Sequence, residues 1–105
     1  MIARVWTART TSAQSESYLH HFEQAVQPEL RRIEGFLGAA VGTRPSPGSM
    51  EILVTTYWES RAAIDAFGAD REDAVVAAEA SALLTDFDKR VRHYQVALAK
   101  FPADR

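Results

Sequence analysis

The chain has no cysteine. That single absence removes disulfides, thiolate nucleophiles and cysteine metal sites. Long apolar runs are missing too, and none approaches the roughly 18 residues that a membrane-crossing helix needs. Basic runs are absent; the nearest, Lys89, Arg90 and Arg92, is interrupted by Val91. With Lys+Arg 12 against Asp+Glu 14 and a net charge of −2, the electrostatic footprint of a nucleic-acid binder is lacking. The opening Met1-Ile2-Ala3-Arg4 does not have the charged-then-apolar order of a signal peptide, so the cytoplasm is the expected location. No Gly-rich phosphate loop or Gly-x-Ser-x-Gly elbow occurs, which argues against kinase-like and serine-hydrolase chemistry. No His-x-x-x-His pair or close His/carboxylate cluster occurs either, and no metal site is expected.

What is present fits one globular domain over residues 1–105, with 47% hydrophobic and 25% charged residues. Residues 2–9 are short, partly β-branched and aromatic, and predict a strand. Thr11-Ser12-Ala13-Gln14 offers a capping box, and Tyr18, Phe22, Val26, Leu30 and Ile33 then fall on one helical face. Pro28 should kink that helix or start a new turn, and Gly35 should end it. Residues 36–43 predict a second strand, Arg44 to Ser49 a turn, and Met50 to Trp58 the strongest strand of the chain. Ser60 caps a short helix carrying Ala63, Ile64 and Phe67 and stopped at Gly68. Asp70 caps another, with Val76, Ala80, Leu83, Leu84 and Phe87 at helical spacing. Residues 90–98 alternate as a last strand, followed by an irregular tail over 98–105.

The order is β-α-β-β-α-β. Two right-handed crossovers around an antiparallel hairpin give an α+β, ferredoxin-like domain with a four-stranded antiparallel sheet. Its helices cover one sheet face. The nearly continuous β-formers of 50–58 imply that the other face is covered as well, by the sheet of a second copy.

The opening Met-Ile-Ala-Arg-Val-Trp, the central Tyr57-Trp58-Glu59-Ser60-x-x-Ala-Ile-x-Ala-Phe-Gly and the closing Val-Arg-His-Tyr-Gln-Val resemble the antibiotic biosynthesis monooxygenase superfamily over residues 1 to about 98. The resemblance implies homodimeric α/β barrels. Some members oxygenate polycyclic anthrone-type substrates without a cofactor, some degrade haem, and many have no known role. It also implies that Trp58 lines the cavity. Val54 stands where the oxygenases carry an asparagine, and Ile64 where they carry a tyrosine. Phe67 and Ala77 replace the tryptophan and histidine of the haem-degrading branch, and Trp6 its first-strand asparagine. Haem degradation is therefore not expected.

Three histidines remain to be placed. His20 and His21 are neighbours on the first helix, diverge by about 100° and cannot share a metal; they read as residues of the surface or helix boundary. His93, on the last strand beside the first, is either a hydrogen-bonded structural residue or a general base. Arg4 and Trp6 share one face of the first strand. With Trp58, Val54, Ile64 and Phe67 they would line a pocket for a flat aromatic ligand, or the indoles would simply be core. The leading expectation is a cofactor-free oxygenase of a small or polycyclic aromatic substrate, with His93 as base and Arg4 stabilising the anion. The alternatives are a non-catalytic binding or structural homodimer, and an isomerase or decomposing enzyme on the same scaffold.

Overall fold

The computed structural model describes residues 1–66, 74 and 76–100. The expectations for Phe67, Gly68 and the Asp70 cap lie outside the described residues. The elements are β1 (Ile2–Thr10), α1 (Ser12–His21), a π-helical turn (Phe22–Val26), α2 (Gln27–Leu30), β2 (Phe36–Ser46), β3 (Ser49–Trp58), α3 (Arg61–Asp65), α4 (Ala78–Ser81), β4 (Asp86–Phe87) and β5 (Arg92–Gln95). The sheet is antiparallel, in the order β2-β3-β1-β4, with β5 also paired to β1. β4 takes the edge of β1 at Ala8 and Arg9, and β5 takes it at Ile2 to Val5. The fourth strand of the expected α+β sheet is thus made in two pieces.

That division is where the chain departs from its sequence pattern. Phe87, expected at the end of a helical face, sits in β4, and the final strand spans four residues rather than the stretch 90–98. The edge of β1 decides this. Thr85 N–H donates to Arg9 O at 2.8 Å, Asp88 N–H donates to Thr7 O at 3.0 Å, and the Thr7 hydroxyl donates to the Asp88 carboxylate. A free strand edge with unpaired backbone groups outbids the last turn of a short helix. Val76, Ala80, Leu83, Leu84 and Phe87 still reach the core, as their spacing implies, although only 78–81 is helical.

The side-chain period of two sorts each strand by face. On β1, Ile2, Arg4, Ala8 and Thr10 are buried; on β3, Ile52, Val54, Thr56 and Trp58 are. These face the helices, where Tyr18, Phe22, Leu30, Ala63, Ile64 and Ala80 complete the core. Trp58 and Ile52 are wholly excluded from solvent. Burial of such a side chain contributes roughly 1.5–3 kcal/mol. Leu53, on the opposite face of β3, is 43% exposed, while Ala3 on that face is buried.

The first helix shows what Pro28 does. Thr11 caps α1 by accepting from Gln14 N–H at 3.1 Å. Past His21 the helix widens, and Gln27 N–H bonds Phe22 O, five residues back. Pro28, near the start of α2, has no N–H to continue the ordinary ladder, and the wider turn absorbs the mismatch. The predicted turn over 44–49 is tighter than its composition suggests. β2 runs on to Ser46, which pairs with Ser49, and only Pro47 and Gly48 turn the chain. Pro45 fits within β2 because β2 is the sheet edge.

Gly35 closes the helical segment at φ +94°, and a Cβ there would meet the Ala63 Cβ at 2.6 Å. Its carbonyl accepts from Glu59 N–H at 2.7 Å, which ties the end of the first helical segment to the β3–α3 junction. Gly35→Ala is expected to lower stability by about 1–3 kcal/mol from backbone strain alone, and by more with the clash. An unchanged urea midpoint would contradict this.

Candidate functional site

Between the helix-facing side of the sheet and the first helix lies a cavity of about 500 Å³. β1 supplies Arg4 and Trp6, β3 supplies Val54 and Thr56, and α1 supplies Tyr18 and His21. The π turn adds Phe22, Ala25 and Val26, and α2 adds Glu29 and Leu30. Ala74, Val76, Ala77, Glu79, Ala80 and Val91 close the far side. The π turn itself lies on this wall, where it contributes Phe22, Ala25 and Val26. Functional sites are a common place for such turns.

Trp6 is the best-braced aromatic of the wall. Its ring lies 6.4 Å from that of Tyr18 and 6.1 Å from that of Phe87, and its Nε1–H donates to Asp88 O at 2.7 Å. With one face braced and the indole N–H engaged, the ring offers a fixed apolar surface to a ligand. Thr56 is held differently: its hydroxyl accepts from Trp58 Nε1–H at 2.8 Å. A hydroxyl that accepts there keeps its own proton to donate elsewhere.

Arg4 is the cavity's cation, buried to 6% exposure. Arg4 pairs in register with Thr56 on one side and His93 on the other. Its Nη1 lies 2.9 Å from His93 Nε2. A guanidinium can only donate, so Nε2 accepts and the ring proton sits on Nδ1. The imidazole thereby fixes where the guanidinium sits.

The residues singled out from the sequence divide as follows. Arg4, Trp6 and Val54 are on the cavity wall. His93 touches Arg4 and is not part of the wall. Trp58 and Ile64 lie in the core, Trp58 with its ring edge on Phe36 at 5.2 Å and 72°. Phe67 lies outside the described residues. His21 was missed: His20 is exposed, but His21 is half-buried and on the wall. Its Nε2 is covered and has no hydrogen-bond partner among the described residues. The signal was there, since Tyr18, His21, Phe22, Ala25 and Glu29 keep the helical i, i+3, i+4, i+7 and i+11 spacing of one face. Among the described residues no cluster of His, Asp or Glu suits a metal ion, and no helix is long and apolar enough to cross a membrane.

Burial pushes the Tyr18 phenol up from 10.0 to about 12. It therefore stays a neutral donor at the cavity wall. Because the folded value is the higher one, its contribution to stability is whole below pH 10 and is lost as pH rises toward about 12. One tyrosine of the native protein should ionise near pH 12 by ultraviolet titration. Tyr18→Phe should remove that step together with its share of the alkaline loss of stability.

A family model described as antibiotic biosynthesis monooxygenase matches residues 1–81. No curated protein matches the chain. Among solved structures, a provisionally assigned antibiotic biosynthesis monooxygenase of Bacillus cereus is 18% identical with a TM-score of 0.68, covering 97% of this chain and 96% of that one. A monooxygenase from the ActVA-Orf6 gene of Streptomyces coelicolor, in complex with nanaomycin D, is 20% identical at TM-score 0.62, covering 97% and 92%. The heme-degrader MhuD of Mycobacterium tuberculosis, with two hemes in its active site, is 20% identical at TM-score 0.55, covering 96% and 100%. At such identities these likenesses establish the ferredoxin-like fold. The family match, over most of the chain and both central strands, settles the lineage: the chain belongs to the antibiotic biosynthesis monooxygenase family.

Proposed function

We propose that the protein is a cofactor-independent monooxygenase of a flat, acidic aromatic substrate of two or three fused rings. One observation carries this reading: a cavity of about 500 Å³, walled by Trp6, Tyr18 and Phe22, has a buried guanidinium, Arg4, among the described residues of its wall. The volume suits a small polycycle, and the cation suits an oxygen that becomes negative during reaction. Deprotonation of an activated ring methylene leaves a carbanion whose charge spreads to the carbonyl oxygen beside Arg4. The carbon's electron pair forms a C–O bond with dioxygen. The resulting hydroperoxide loses water as its O–O and remaining C–H bonds break, so CH₂ and O₂ become C=O and H₂O. In this reading His93, whose Nε2 is committed to Arg4, positions the guanidinium.

Haem fits this cavity poorly. Two propionates call for cations, whereas the wall has Arg4 with the carboxylates Glu29 and Glu79 among the described residues. A second reading, a non-catalytic ligand-binding protein, is favoured by Val54 on the wall, an apolar side chain where the anthrone-type members carry an asparagine. Oxygen uptake by the purified protein with an anthrone and hydroquinone panel separates the two. The oxygenase reading expects uptake above buffer, and a loss of about 10²-fold in kcat/KM for Arg4→Gln, the scale for removing an oxyanion donor. No uptake with any member would leave the binding protein.

The same reading takes a homodimer through the open sheet face as the working state. That face carries Leu53 at 43% exposure and Tyr94 at 51%, with Gly42 and Ala3 as their small cross-strand neighbours. Sedimentation should give a dimer at micromolar concentration and a monomer for Leu53→Asp. A monomeric parent protein would remove the claim.

A further inference from the structure

We propose that His21 is the proton acceptor of this cavity: its imidazole takes the proton that a phenolic or enolic aromatic ligand gives up on binding, leaving the ligand anion beside Arg4. The inference rests on the aromatic-ligand reading and adds the group that reading lacks. The reaction needs a base, and His93 has its accepting nitrogen on Arg4. Among the described residues, the remaining titratable groups of the wall are Tyr18 from α1, Glu29 from α2 and Glu79 from α4, with Arg4 from β1. Tyr18 is held neutral by burial and can only donate or accept a hydrogen bond at neutral pH. Glu29 and Glu79 are exposed, and a solvated carboxylate is a far weaker base than an imidazole.

His21 has what the others lack. It sits on the wall where α1 passes into the π turn, opposite the sheet that carries Arg4. Its Nε2 is covered and makes no hydrogen bond among the described residues. A covered acceptor without a donor costs on the order of 1–3 kcal/mol. A ligand hydroxyl relieves that cost once the ring turns about its Cβ–Cγ bond, a torsion with a broad minimum. In the transfer the ligand O–H bond breaks, an N–H bond forms on the imidazole, and the electron pair stays on the ligand oxygen; nothing is oxidised. The product is an imidazolium on the helical wall and an anion against the guanidinium of the sheet wall.

The test uses the intact protein and 4-nitro-1-naphthol, whose neutral and ionised forms differ in colour. Binding is followed by calorimetry in buffers of different ionisation enthalpy at about pH 8, where an ordinary imidazole is neutral and this probe is ionised. The wild type should take up close to one proton per naphtholate bound. His21→Gln should take up almost none, and His20→Gln, at the exposed neighbouring position, should behave as the wild type. In the wild type alone, the ring proton resonances of His21 should move to their charged positions on binding, a readout independent of how well any variant folds. Uptake unchanged in His21→Gln, uptake lost in His20→Gln instead, or His21 resonances that stay neutral would each overturn the assignment while leaving the aromatic cavity intact. Failure of the wild type to bind the probe at all would overturn both.

Discussion

β1 is paired along both edges, and a strand fixed on both sides cannot slip its register. A slip of one residue would turn Arg4 and Trp6 out to the open face and bring Val5 and Thr7 inward. The pairings Arg4↔Thr56 and Arg4↔His93 place a hydroxyl and an imidazole on either side of the guanidinium, on the side facing the helices. The buried cation, the braced indole and the wall opposite the helix all follow from that one constraint. Removing a charge from water is costly unless hydrogen bonds replace the lost solvation, and the acceptor that β5 brings to Arg4 is part of that replacement.

Much of this was legible in the residues. The alternation of β3 and the caps at Thr11 and Ser60 specify their elements locally, and the structure has them where the pattern puts them. The fold class follows from element order, since a βαββαβ chain has few ways to cover a sheet face. The split final strand was not legible. Residues 83–87 carry a helical apolar pattern, and only the unpaired edge of β1, distant in sequence, draws Asp86 and Phe87 into the sheet. Periodicity reports which side chains go inside; it does not report which backbone partner wins.

The candidate site was read in halves for a similar reason. Strand alternation brought out Arg4 and Trp6, because a strand's two faces are unambiguous. On the helix, the aliphatic and aromatic positions stood out and hid the imidazole between them. His21 shares a face with Tyr18, Phe22 and Ala25, yet a polar residue at the end of a helix is ordinarily solvated. Trp58 shows the converse. A large aromatic at a strand end is conspicuous in sequence, but its place, set by Phe36 across the strand pair and by the Thr56 hydroxyl, is in the core. What it contributes to the cavity passes through Thr56, whose oxygen it holds.

Pro45 has a consequence of a different kind. β2 forms the outer edge of the sheet, and among the described residues no strand pairs with its far side. Gly38, Ala40 and Gly42 leave much of that strand with little side-chain bulk, the sort of surface that invites another strand to zip on. A proline has no N–H to offer an incoming strand, so any such addition would be interrupted near the hairpin. The charged Arg44 beside it, paired to Glu51 at 2.7 Å and largely in water, adds a solvation cost to stacking a second copy there. The same hairpin end that turns the chain thus works against copies growing along their edges.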